Sequence, residues 1–196
     1  VLLLPGSRRR AYDDVRLLLD AVERLESAVP SAYLMVVAPT LDMEELMASC
    51  SGWEPFEETG WKGIRKGACS IRFFFGPLPS VTGDALLLMG LGGTANQVCA
   101  GMGVPVVSIE EKGKFVQKKL LGGSELLVPP TAQSLAEGAA RILSDGSLRL
   151  KMAREGKERL GGPGALDTVV AHAAESMGWD LRCRLFQRLS ERWSGL

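Results

Sequence analysis

The chain has 196 residues, enough for one substantial core or two small ones. It is 46% hydrophobic and 23% charged, the make-up of a folded globular protein and not of a disordered one. Lys plus Arg and Asp plus Glu balance at 23 each, which excludes the basic excess of a general nucleic-acid binder.

The first residues, "VLLLPGSRRR", lie inside an apolar run with neither Met nor a lead-in, so a domain cut from a longer protein is expected, with a partner half elsewhere. The run Val1–Leu4 reads as a strand. Gly6 then allows a tight turn, Ser7 offers a hydroxyl, and Arg8 offers a cation able to grip phosphate in two places. A helix over 11–28 follows, with Val15, Leu18, Leu19, Val22 and Leu25 at helical spacing; its start presents free amides and a positive dipole end. The plainer reading is an ordinary strand-to-helix turn with solvated arginines. Asp13 and Asp14 read as a solvated pair favoured by the dipole.

Further strands are expected at Tyr33–Ala38, Ile71–Phe75, Ala85–Met89, Val104–Ile109 and Leu126–Val128. Unbroken apolar runs of this length suit strands covered on both faces, as in a parallel sheet. In "TLDMEELMASC", Asp42 and Glu45 have capping-box spacing, and Thr131 is placed to cap a helix over 131–143. Residues 50–70, "CSGWEPFEETGWKGIRKGAC", break the rhythm as a hairpin or an irregular loop. Beyond 146 only helices are expected: Arg149–Leu160, Ala165–Met177 and an amphipathic segment over 180–193, whose arginines suit an anionic membrane or, more simply, packing on protein. Alternating strands and helices define a Rossmann-like three-layer α/β/α domain with a mainly parallel sheet of about six strands, followed by C-terminal helices. No apolar run reaches the roughly 18–20 residues that span a bilayer, and no signal peptide is visible. Cys50, Cys69, Cys99 and Cys183 show no C-x-x-C pairing, as expected of reduced core thiols and not of a zinc site.

The stretch "ALLLMGLGGTANQVCAGMGVPVVSIEEKGK" admits two chemistries. Gly90, Gly92 and Ala95 have the G-x-G-x-x-A spacing of a dinucleotide fingerprint, with Glu110 about twenty residues on, where a ribose-binding acid belongs. That fingerprint normally opens the first βαβ unit of its sheet, whereas this one follows several strands and leaves the Gly6–Arg8 loop without a role. The second chemistry is a phosphate grip. Gly92 and Gly93 let backbone approach a ligand, and Thr94 is a natural cap for the next helix. Two such loops at the carboxyl ends of strands suit one anion held between them at a topological switch point, as in a nucleotide diphosphate joined to a sugar. After the next strand, Glu110 or Glu111 can accept from ribose or sugar hydroxyls, and Lys112, Gly113 and Lys114 can lean on phosphate. Lys118 and Lys119 read as part of a solvated loop.

These segments carry a resemblance. "LLPGSR" before an amphipathic helix, "APTLDMEEL" followed by "GW", and "GGTANQVCAGMGVPVVSIEEKGKF" resemble the C-terminal half of lipid-A-disaccharide synthases, and more strongly the lipid-A-disaccharide synthase-related proteins. The likeness covers residues 1–145. It implies a GT-B glycosyltransferase, with two Rossmann-like domains facing a cleft and the C-terminal one holding a nucleotide-sugar donor, here a UDP-sugar. On this resemblance Gly6, Ser7, Arg8, Gly92, Gly93 and Thr94 contact the donor diphosphate, and Phe75 and Gly76 lie beside the base. Gln97 stands where the family carries a ribose-binding Glu; it can still hydrogen-bond a hydroxyl, but the departure puts donor identity in question. The implied domains are a donor-binding unit over 1–145 and helices over 146–196 packing on it or on the other half. Also implied are metal-independent transfer without a cofactor, a lipid-linked acceptor bound by the N-terminal domain, no nucleic-acid partner, and a cytoplasmic protein peripheral to the inner face of the membrane. No catalytic residue is assigned, His172 included. The competing readings are a UDP-N-acetylglucosamine 2-epimerase-like enzyme, an NAD oxidoreductase with Glu110 on ribose, and a remnant that binds nothing.

Overall fold

The computed structural model describes residues 1–111, 114–160 and 164–177. It forms two compact units, Val1–Leu160 and Gly161–Leu196. The first contains one eight-stranded sheet in the order β3-β4-β5-β2-β1-β6-β7-β8. Its strands are β1 Leu2–Leu4, β2 Tyr33–Val36, β3 Glu54–Glu58, β4 Trp61–Lys66, β5 Cys69–Phe74, β6 Leu88–Gly90, β7 Val106–Ile109 and β8 Glu125–Val128. Its helices are α1 Ala11–Ala28, α2 Met43–Ser49, α3 Pro79–Thr82, α4 Thr94–Gly101, α5 Lys114–Leu121, α6 Ala132–Ser144 and α7 Gly146–Leu160.

The apolar strands bury both faces, as their unbroken hydrophobic runs require. Alternate residues enter different clusters: Leu3, Met35, Met89 and Val107 pack with α1 and α6. Leu2, Leu4, Leu88 and Val106 pack with Cys99 and Ala100 of α4 and Leu121 of α5. The result is a Rossmann-like, doubly wound α/β domain. β5, β2, β1, β6, β7 and β8 pair in parallel, which accounts for the six expected strands.

The sheet has eight strands because residues 54–66 form a hairpin that adds antiparallel to β5. Its turn places Thr59 at φ 51° and Gly60 at φ 79°, the two left-handed residues of a type I′ connection. Phe56 lies opposite Gly63, where a side chain would run into the Ile71 carbonyl and the Phe56 ring. Arg65 stacks over Phe56 at 6.0 Å and Arg72 over Trp61 at 5.5 Å, so the cationic side chains cover aromatic faces near the sheet edge.

Helix starts follow side-chain chemistry. Asp42 Oδ1 accepts from the amides of Glu44 and Glu45 at 2.9 and 3.0 Å, and Thr131 Oγ1 accepts from Ser134 at 3.1 Å. Two expectations need correction. The mixed-charge run expected as a solvated loop is largely helix α5, and Lys118 closes its end by donating to the carbonyls of Gly122 (2.7 Å) and Glu125. Thr94 does not cap α4: Gly93 takes that place with φ −99° and ψ −78°, and Thr94 is already the first helical residue.

α7 packs on α4, α5 and the short turn Gly122–Ser124, so the first compact unit runs through Leu160. In the second unit, α8 (Ala165–Ser176) carries an exposed His172 whose Nδ1 lies 3.8 Å from Glu175. The expected helix over 180–193, and Cys183, lie outside the described residues. Cys50, Cys69 and Cys99 are free and buried; burial pushes the first two thiols up to about 11 and Cys99 to about 12. Among the described residues no helix is long and apolar enough to cross a membrane.

Candidate anion-binding site

From β1 the chain winds outward through β2 to β5, then crosses back to β6 on the other side of β1. The topological switch therefore lies between β1 and β6, and ligands of such sheets bind outside the carboxyl ends of the strands at that crevice. The two glycine loops are the segments that leave those strand ends. The Leu91 amide donates to the Leu4 carbonyl at 2.9 Å, tying their roots together.

In the first loop Gly6 has φ +114°, a left-handed conformation that a side chain would strain. Thr40, from the loop after β2, donates its hydroxyl to the Ser7 carbonyl at 2.7 Å, and the Ala11 amide bonds the Arg8 carbonyl at 2.7 Å to open α1. In the second loop a Cβ on Gly92 would sit 3.8 Å from the Gly6 Cα, so the loops meet. Gly6, Ser7, Arg8, Gly92, Gly93 and Thr94 together line a cavity of about 460 Å³, within the usual span of ligand sites. The amides of Gly6, Ser7, Gly92 and Gly93 donate to no backbone carbonyl among the described residues. Free amides beside two helix starts make a favourable place for an anion.

The charges around the cavity are mixed. Asp14, expected to be solvated, is only 8% exposed and lines the cavity as the fourth residue of α1. Burial pushes its carboxyl up, while Arg10 and Lys114 pull it back down. Arg10 Nε lies 3.3 Å from Asp14 Oδ1, and its Nη1 also pairs with Glu111. Both lining arginines, Arg8 and Arg10, are exposed; Arg10 is held by two carboxylates, whereas Arg8 has no ion pair among the described residues.

Behind the second loop lies a buried polar network. The Gly90 carbonyl accepts from Asn96 Nδ2 at 2.9 Å and Ser108 Oγ at 2.6 Å. Lys114 Nζ donates to Ser108 Oγ at 2.5 Å and reaches the Leu91 carbonyl at 3.4 Å. Glu125 Oε1 accepts from Gln117 at 2.6 Å. Among the described residues Asn96 Oδ1 and Glu125 Oε2 have no partner. The loop's carbonyls are thus pinned inward by α4, β7 and α5.

The other expected residues are distributed unevenly. Gly76 lines the cavity, whereas Phe75 is 56% exposed, outside the lining, and edge-on to Phe73. Gln97 is half-buried and Glu110 exposed, neither in the lining; Glu111 is engaged by Arg10. Lys114 is buried beneath the loop and does not line the cavity, and Lys112 and Gly113 lie outside the described residues. Reading the sequence missed Asp14, Arg10, Thr40, Asn96, Ser108 and Glu125. The nearest signal was the pair Asp13–Asp14, whose helical spacing puts only Asp14 on the face of Leu18.

Fold and cavity together define a Rossmann-like α/β domain with paired glycine loops at its switch point. No family model matches the sequence, and no curated protein matches it. Among solved structures the chain is similar to a "putative UDP-N-acetylglucosamine 2-epimerase" from Listeria monocytogenes, with TM-score 0.63 and 18% identity. The match covers 90% of this chain and 45% of that one, so this chain spans less than half its length. At that identity the likeness is one of fold.

Proposed function

We propose that this domain binds the nucleotide-sugar donor, a UDP-sugar, of a glycosyltransferase resembling lipid-A-disaccharide synthases. The observation that carries the reading is the meeting of the two loops at Gly6 and Gly92, with amides on both that donate to no backbone carbonyl among the described residues. In transfer, the bond from the sugar's anomeric carbon to the diphosphate breaks and its electron pair leaves with the diphosphate. An acceptor hydroxyl attacks that carbon and gives up its proton to a base. Charge grows on the leaving diphosphate, where the loop amides, the start of α1 and Arg8 stabilise it most. That scheme asks for no metal. Gly76 lies on the wall suited to the base, and Gln97 serves the ribose only if a bound donor draws it in. A second domain supplies the acceptor site and the base; the Listeria structure, more than twice the matched length, leaves room for one. A lipid-linked acceptor and a cytoplasmic, membrane-peripheral site of action belong to the same proposal.

The test is titration of the protein with UDP and NAD, followed by amide resonances. UDP should shift Gly6–Arg8 and Gly92–Gln97, and NAD should not. NAD binding with Glu110 perturbed would favour an oxidoreductase, and no response to any nucleotide would favour a non-binding remnant. Thr40→Val removes the hydroxyl that holds Ser7, so UDP should bind about fivefold more weakly, the equivalent of one hydrogen bond near 1 kcal/mol. Unchanged affinity in calorimetry would detach Thr40 from the site.

The similarity to the Listeria structure favours a second reading, a 2-epimerase-like enzyme. Both readings share the diphosphate cavity. Product analysis separates them, because epimerisation inverts a ring carbon without an acceptor and transfer consumes one.

A further inference from the structure

We propose that Lys114 is a positioning residue which, without touching the ligand, aims and polarises the Gly92 amide toward the bound anion. This rests on the anion-binding reading of the cavity.

Lys114 is 8% exposed and absent from the cavity lining, yet its ammonium group reaches the Leu91 carbonyl at 3.4 Å. The Leu91 carbonyl and the Gly92 amide belong to one planar peptide unit and point in opposite directions. A cation on the carbonyl side therefore leaves the amide aimed away from Lys114, and Gly92 lines the cavity with its amide unpartnered by backbone among the described residues. Charge on the carbonyl side also draws electron density across the peptide, making its N–H a stronger donor. The adjoining peptide is locked as well, since Gly90's carbonyl holds Asn96 and Ser108, and Ser108 in turn holds Lys114.

The charge balance points the same way. Arg8, Arg10 and Lys114 face Asp14, Glu111 and Glu125 in and behind the cavity. Removing Lys114 takes a positive charge away from the surroundings of an anionic ligand and withdraws its attraction for buried Glu125. Burial works against the ammonium form of Lys114, while Glu125 and Asp14 favour it. A buried lysine that served packing alone would be better replaced by an apolar side chain.

The experiment measures affinity for inorganic pyrophosphate by calorimetry, with UDP as a separate arm. Lys114→Met should weaken pyrophosphate by on the order of 10- to 100-fold, the span of one charged hydrogen bond. Glu125→Gln removes the carboxylate but keeps the cation, so it should bind pyrophosphate as tightly as the parent or more tightly. If Lys114 and Glu125 served only as a structural pair, both variants would weaken together, and that outcome overturns the proposal. So does Lys114→Met with parental affinity. Should Lys114→Met fail to fold, the double variant Lys114→Met/Glu125→Gln removes the stranded charge; it too must bind more weakly than the parent. Parent protein that binds pyrophosphate but not UDP refutes the nucleotide reading and leaves the role of Lys114 intact. Parent protein that binds neither removes both.

Discussion

Gly93→Asp is expected to weaken UDP binding by about 100-fold while leaving the melting temperature equal or slightly higher. Gly93 has negative φ, and the nearest atom to an added Cβ is Gln117 Oε1 at 3.6 Å, so the side chain fits. It also stands at the start of α4, where a negative charge suits the dipole. The same carboxylate stands beside the free amides that the ligand needs and opposes its charge. Like charges in contact disfavour a complex by several kcal/mol, and a 100-fold loss corresponds to roughly 3 kcal/mol. The design separates fold from site, since one substitution should improve the helix and empty the cavity. Calorimetry and a melting curve on the same sample decide it. Parental UDP affinity would move the anion away from the second loop.

The largest effect on stability is expected from Gly156→Ala. Gly156 lies within α7, where Ala is intrinsically favoured over Gly by about 1 kcal/mol. Here that gain is outweighed. An added methyl would collide with the Ala100 carbonyl of α4 and come within 3.2 Å of Ser124 Cβ. Backbone of a packed helix cannot step aside as a side-chain tip can, and overpacking typically costs 1–3 kcal/mol, sometimes more. A net loss of about 2 kcal/mol is expected, lowering the melting temperature by roughly 4–8 °C for a domain of this size. Urea unfolding checks the sign, and a more stable variant would show that α4 and α7 are less closely seated. α4 begins at the glycine turn, so the same variant should loosen the site as well.

How far this fold could be read from its residues depended on how local the signal was. Six parallel strands announced themselves because Val, Leu and Phe runs buried on both faces need no partner to be recognised. The hairpin over 54–66 was legible only as one of two options, a hairpin or an irregular loop, because its Glu-rich outer strand and Gly63 make sense only once Phe56 lies across from that glycine. The two loops were legible as glycine next to helix starts, and their convergence followed from the switch-point rule. What stayed hidden were groups satisfied across long stretches of chain. Asn96 and Ser108 share the Gly90 carbonyl, and Glu125 meets Gln117, none of which any spacing rule anticipates. Asp14 was misjudged because acidic residues in a first turn are usually wet, whereas this one is buried in the cavity lining and pairs with Arg10. Thr94 was misplaced by a single residue, since Gly93 had already adopted helical angles.

The two loops also differ in how firmly they are tethered. Four side-chain bonds from three separate elements restrain the carbonyls at Gly90 and Leu91, directly or through Ser108, while one threonine hydroxyl restrains Ser7. One wall of the cavity is thus a rigid anvil and the other a yielding strap. A guest pressed between them would lose little disorder on the anvil side, and most of the entropy surrendered on capture would come from Gly6, Ser7 and the long arm of Arg8.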